Sequence, residues 1–244
     1  MKIRTTRCLF VSLIAMALPL VVKAQPPASL AAALQHRYSF NGDAKDSVGH
    51  ADGELKGTAT ISDGQVHLDG AKSCYVNLPG GLIAGDKAVT FEFWASLGTN
   101  RSWCRVFDQG TIPAVDGGHM DLYFCPHSGN RDFRLTVMDP NPTERVISVR
   151  RANLDEQTNI YVACVLDPPT GFMGIYTNGI LAVSTNNLTS LTSVATNSFF
   201  LGHSLFTTDP GLNGSIEEFR IYNAPLSPAQ VADNFKNGPN ALLK

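Results

Sequence analysis

Gly214-Ser215-Ile216-Glu217-Glu218-Phe219-Arg220-Ile221-Tyr222 is the stretch on which the fold turns. It is a short β-rich run near the C-terminus, with two adjacent carboxylates inside it. By the two-residue strand period, Phe219 and Ile221 share one face, and Glu218, Arg220 and Tyr222 share the other. Ile216 is out of phase with Phe219, which asks for cover on both faces or for a bulge between them. Such a strand needs a partner. The counterpart is Leu34-Gln35-His36-Arg37-Tyr38-Ser39-Phe40, near the other end of the chain. If the last strand pairs with the first, the chain closes as one domain. The strands between then have to form two facing sheets.

Those strands are readable as short apolar runs. Val89–Leu97 is the clearest: Val89, Phe91, Phe93 and Ala95 face one way, and Thr90, Glu92 and Trp94 the other. Asn178-Gly179, between Phe172–Thr177 and Ile180–Ser184, is the strongest hairpin signal in the chain. Only Ser227-Pro228-Ala229-Gln230 has a clean helix start, with a cap residue, Pro at the first helical position and Gln three beyond the cap. Helices that could cross over between parallel strands are missing. The expected fold is therefore all-β, a two-sheet antiparallel jellyroll sandwich with one short C-terminal helix.

The first 24 residues read as a signal peptide. Lys2, Arg4 and Arg7 precede an apolar run from Cys8 to Val22, and Val22-Lys23-Ala24 suits cleavage before Gln25. The run is short for a membrane span of about 20 residues, so no span is expected after cleavage. Residues 25–33 read as a Pro/Ala linker with room for one helical turn, and 34–244 as the jellyroll domain. Cleavage leaves 15 basic residues against 21 acidic, a charge of −6. A negative domain without a Lys/Arg block is a poor partner for nucleic acid or anionic lipid. The expected location is secreted or periplasmic.

Four cysteines remain after cleavage: Cys74, Cys104, Cys125 and Cys164. An even number in an exported chain suggests one or two disulfides, with three possible full pairings. Cys104–Cys125 is the expected pair, since each lies near the end of a candidate strand around one long excursion. Buried free thiols are the alternative.

The ordered pieces together resemble a known family. They are Arg37-Tyr38-Ser39-Phe40-Asn41-Gly42-Asp43-Ala44-Lys45-Asp46-Ser47-Val48-Gly49, Val66-His67-Leu68-Asp69-Gly70 and Thr90-Phe91-Glu92-Phe93-Trp94, followed by Gly214–Asn223 and Leu226-Ser227-Pro228-Ala229-Gln230-Val231. The chain is similar to the laminin G-like jellyrolls of the concanavalin A-like lectin/glucanase superfamily. The resemblance implies carbohydrate binding or adhesion and, in distant branches, glycan cleavage. It also implies a structural calcium near the first loop. Asp43, Asp46 and Glu217 supply hard oxygens that could converge if the first and last strands pair. The plainer reading is that Asp43 and Asp46 are turn formers.

A sugar site pairs an aromatic platform with fixed polar groups. Trp103 lies in the polar loop Asn100-Arg101-Ser102-Trp103, Asp121 and Tyr123 share a strand face, and Arg131 and Arg134 flank a polar turn. These five are the candidate carbohydrate-binding residues. Asp116, His119 and Asp121 form the densest polar cluster, but no pattern of alternating acids on one strand accompanies it. Glu217 and Glu218 are adjacent, Glu92 has no acid two or four positions away, and no nucleophile elbow, zinc-helix motif or phosphate loop is present. The expected function is an exported, non-catalytic, lectin-like module for a glycan or cell-surface ligand. The alternatives are a structural or adhesive protein-binding module and a glycan-active hydrolase or lyase.

Overall fold

The computed structural model describes residues 29–111, 121–139 and 143–242. The expected signal peptide, the first residues of the linker, and Asp116 and His119 lie outside these. The linker's last residues form one helical turn, α1 (Leu30–Ala33), with the Ser29 side chain capping the Ala32 amide.

Fifteen strands follow in the described residues. They are β1 (Leu34–Tyr38), β2 (Glu54–Lys56), β3 (Thr60–Ser62), β4 (Gln65–Asp69), β5 (Tyr75–Leu78), β6 (Val89–Leu97), β7 (Phe107–Gly110) and β8 (Leu122–Cys125). Then come β9 (Phe133–Asp139), β10 (Thr143–Val149), β11 (Ile160–Asp167), β12 (Phe172–Thr177), β13 (Ile180–Thr185), β14 (Ser198–Leu201) and β15 (Asn213–Tyr222). One sheet runs β13-β12-β11-β6-β15-β4-β3, with β1 also on β15; the other runs β10-β9-β8-β7-β14-β5-β2. Every pairing is antiparallel. This is the expected two-sheet sandwich.

β15 sits inside its sheet. One edge pairs with β6 along most of its length. The other edge is shared: Asn213–Ile216 pair with β4, and Phe219–Tyr222 pair with β1. The phase problem is solved by a bulge. Ile216 stands opposite Ala95 and Glu218 opposite Trp94, so Glu217 is the extra residue. Ile216, Phe219 and Ile221 therefore all enter the space between the sheets, where each is fully buried.

That space is filled mainly by aromatic and branched side chains. Phe91 and Phe219 from one sheet meet Phe107 and Phe199 from the other, with ring centroids 4.7–6.2 Å apart. Each such pair adds about 0.5–1.5 kcal/mol beyond area burial. The Asn178-Gly179 hairpin forms as expected, with both residues at positive φ (49° and 80°).

The outer face of the β15 sheet carries a second core under α2 (Pro228–Asn237). The capping box forms, with Ser227 and Gln230 each bonding the other's amide. Val231 is buried, but Phe235 is 39% exposed. The inward position belongs instead to Asn234, whose amide donates to both Glu92 oxygens at 2.8 and 3.0 Å. Tyr161 and Tyr222 also donate to Glu92. Arg220 lies 4.6 Å over the Trp94 ring. Glu92 is thus the buried anchor of the helix rather than an isolated acid.

The expected disulfide does not form. Cys74, Cys104, Cys125 and Cys164 are all free and buried. The reason lies in the faces of the strands. Cys104 points into the inter-sheet core with Val106 and Phe124. Cys125 follows Phe124 by one residue, so it points to the other side, with Tyr123. No described helix is long and apolar enough to cross a membrane.

Candidate functional site

The outer face of the other sheet carries no helix among the described residues. Its center is built from charged and aromatic side chains. The β6–β7 connection turns at Trp103, a left-handed residue (φ 75°) whose amide donates to the His127 carbonyl at 2.7 Å. This bond holds the loop against the end of β8. Arg105 then turns outward while Val106 and Phe107 enter the core. Register places Asp108 beside Tyr123, and Tyr123 beside Thr136.

The cations and rings alternate. The Arg134 guanidinium lies 4.5 Å from the Trp103 ring centroid, and its Nη2 donates to the Tyr123 hydroxyl at 3.0 Å. The Arg105 guanidinium lies 3.9 Å over the other part of the stack, the Tyr123 ring. Arg105 is also held by Asp209 at 3.0 Å and Asp108 at 3.6 Å, and donates to the Trp103 carbonyl at 2.5 Å. Such desolvated cation–ring contacts are worth roughly 0.5–2 kcal/mol each. Gly129 leaves room for the indole edge: a Cβ there would lie 3.2 Å from Nε1.

The acids are held under tension. Burial pushes the Asp108 carboxyl up; Arg105 pulls it down and Asp121 raises it further. Burial also raises Asp121, again opposed by Arg105. Asp108 Oδ2 accepts from the Leu205 amide and the Ser204 hydroxyl, at 3.0 and 3.3 Å. Among the described residues, neither Asp121 oxygen has a hydrogen-bond partner.

Four of the five expected sugar-site residues thus come to one face. Trp103 and Arg134 are half-buried, while Asp121 and Tyr123 lie beneath them and are buried. Arg131 does not join them. It is exposed on the Ser128–Arg131 turn, at φ 59°. Arg105, Asp108 and Asp209 were not expected. The outward placement of Arg105 and Asp108 around Phe107 was a weak signal for the first two. Asp209 carries none, being about a hundred positions away on another loop.

The expected calcium residues lie apart in role. Asp46 is buried and accepts from the amides of Arg37, Val48, Gly49 and Ala51, and bonds His36 Nδ1 at 2.7 Å. Asp43 is exposed and pairs with Lys45. Glu217 is the half-buried bulge residue, its carboxyl raised by burial. No group of three metal-ligating side chains occurs among the described residues. Asp46 already has its oxygens committed to N–H donors, so this set does not fit a calcium ion.

A family model for the concanavalin A-like lectin/glucanase superfamily, of laminin G type, matches residues 68–232, more than half of the chain. The chain belongs to this superfamily. No curated protein sequence matches it. Among solved structures, this superfamily member is similar to domain 4 of AbnA, an extracellular GH43 arabinanase from Geobacillus stearothermophilus, solved with arabinotriose. Identity is 24%, with 82% of this chain and 97% of that one covered and a TM-score of 0.65. It is also similar to the binding domain of botulinum neurotoxin serotype D/C (15% identity, 85% and 53% covered, TM-score 0.69). A botulinum neurotoxin type C structure, whose cell entry depends on two ganglioside molecules, matches at 14% identity, with 85% and 51% covered and a TM-score of 0.68. The chain spans about half of these toxin chains. At such identities the likeness shows the fold.

Proposed function

We propose that this domain is an exported, non-catalytic module that binds a carbohydrate through the surface formed by Trp103, Arg134 and Tyr123. The observation that carries this reading is the half-buried indole held against the Arg134 guanidinium, over a fixed bed of hydroxyl, carboxyl and guanidinium groups. An indole covers the C–H face of a sugar ring, and the polar groups around it match hydroxyls. The arabinotriose complex of the similar arabinanase domain supports the same ligand class. A secreted or periplasmic destination fits the basic and apolar leader. The test is a broad glycan-array screen of the exported protein, followed by titration of any hit against Trp103→Ala. Binding that survives the substitution unchanged rejects the surface.

A second reading rests on a separate observation. Ile180 and Leu181 are 73% and 45% exposed at the hairpin that abuts Phe235 of α2. This apolar patch favours a protein-binding role. Failure of every glycan, together with cell-surface binding lost in Leu181→Asp, would favour it.

A further inference from the structure

A cavity of about 610 Å³ opens at the end of the sandwich where β6 begins. Its walls are the β5–β6, β11–β12 and β13–β14 connections. Its size falls within the range of small-molecule sites. The walls are tied by main-chain bonds: Gly81 to the Thr196 carbonyl at 2.6 Å, and Leu188 to the Gly171 carbonyl at 2.9 Å. Val194 also donates to Leu191, closing the third connection on itself at 3.0 Å. The site is therefore preformed.

Its lining has two characters. Ile83, Leu191 and Val194 give an apolar base. Asp86, Lys87 and Thr189 stand around them. Among the described residues, the Asp86 carboxylate makes no hydrogen bond, Lys87 makes no ion pair, and the Thr189 hydroxyl makes no bond. Burial raises the Asp86 carboxyl, and attraction to His36 on β1 opposes the rise. A fixed pocket with free polar groups around an apolar base matches a ligand that has hydroxyls at its edges and C–H groups on its faces. The adjacent carboxylate and ammonium nearly cancel. A charged ligand would gain from one what it loses to the other, so the pair offers no net attraction to charge.

We propose that this cavity is a second saccharide site, one that takes a neutral mono- to trisaccharide. It stands independently of the Trp103 surface. Trp103 follows the far end of β6, whose nine residues place its two ends about 26 Å apart. A single polysaccharide reaching both would be held bivalently.

The test is an amide-resolved NMR titration of the exported protein with arabinotriose, xylotriose, cellotriose and maltotriose, and with trigalacturonate as the charged control. At least one neutral sugar should give saturable shifts in residues 83–87 and 189–196. Thr189→Trp, at an exposed position, should fill the cavity and weaken that binding by at least about tenfold without lowering the melting temperature. Trp103→Ala should leave these shifts intact. The proposal is overturned if no neutral sugar shifts these loops up to its solubility limit. It is equally overturned if trigalacturonate binds there as well as the neutral sugars, if the shifts persist in Thr189→Trp, or if they vanish in Trp103→Ala.

Discussion

Arg37 and Glu218, 181 positions apart, meet as a two-point pair: Nε to Oε1 at 2.9 Å and Nη2 to Oε2 at 3.1 Å. Glu218 also accepts from Arg220 and from the Asn240 amide at 2.6 Å. One carboxylate thus joins the first strand, the last strand and the tail. Burial pushes its pKa up, but the bonds from Arg37 and Arg220 win and hold it below the usual range.

Glu218→Leu should therefore be costly. It removes the two-point partner of Arg37 and the nearer of the two carboxylates of fully buried Arg220, leaving that guanidinium only Glu92 at 3.8 Å, and breaking a buried pair in this way costs about 3–5 kcal/mol. Arg37→Met should cost less, because Glu218 keeps Arg220 and Asn240. Urea unfolding of both variants measures the difference. A loss below about 1 kcal/mol for Glu218→Leu would show that the pair is replaceable.

Trp103→Ala should weaken glycan binding about thirtyfold, equivalent to about 2 kcal/mol, if the indole is the anchor. Arg134→Met should weaken it less, by loosening the ring. Since Trp103 is only half-buried, the melting temperature should fall far less than for a core Trp, whose truncation costs about 3–5 kcal/mol. Titration and melting on the same samples separate the outcomes. A core-sized melting loss would make Trp103 a packing residue.

The buried acids should make stability rise as the pH falls from 9 to 5, against an opposing contribution from His203, whose protonation burial disfavours. Burial raises Asp121 to about 6 and Asp108 to about 8. A raised folded pKa contributes stability that is full below the unfolded value of about 3.9 and lost as pH rises through the folded value. Glu92, Glu217 and Asp86 shift in the same direction. Asp46 and Glu218 shift the other way, and their contribution is lost only as pH falls below the normal carboxylate range. Asp121→Asn should flatten the slope between pH 5 and 7. Unfolding free energies measured across that range check it, and an unaltered slope would remove Asp121 from the balance.

The four described cysteines should react with a thiol reagent only after unfolding. Burial raises the thiols of Cys104, Cys125 and Cys164, which keeps them protonated and slow. A reductant should leave the melting curve unchanged. A reductant-induced drop in melting would reveal a bridge.

Chelation should also leave melting unchanged, while Asp46→Ala should cost at least about 2 kcal/mol by stranding the four amides that its carboxylate receives. Calcium rescue after chelation would contradict this division of roles.

Features set by neighbours in sequence were legible beforehand. The Ser227–Gln230 box, the Asn178-Gly179 turn and the phase break at Ile216 each announce themselves within a few residues. Pairing of β1 with β15 followed from two β-like runs, one near each end of the chain, that needed partners. The candidate site was legible only in part. Trp103, Tyr123 and Arg134 stand out as polar-loop or strand-face residues, but Asp209 enters through a remote loop. Arg131 stands apart on an exposed turn, a placement that turn geometry rather than spacing sets. The cysteines failed because spacing along the chain does not say which face of a strand each thiol occupies. On α2 the inward place beside Val231 went to Asn234 rather than to Phe235, because the buried Glu92 carboxylate takes a donor there.

β15 is synthesized nearly last, yet it forms the middle of its sheet. Until it arrives, β6 has one open edge and β1 and β4 have no common partner. The sheet that holds β6 therefore cannot be completed from its N-terminal end, and the pairings that join β6 to β1 and β4 wait for one late strand. A chain stopped before Asn213 should remain protease-sensitive and prone to associate through that open edge, while the completed chain folds in one cooperative step. If the chain is exported, as proposed, this delay keeps that sheet open until the whole polypeptide has been made.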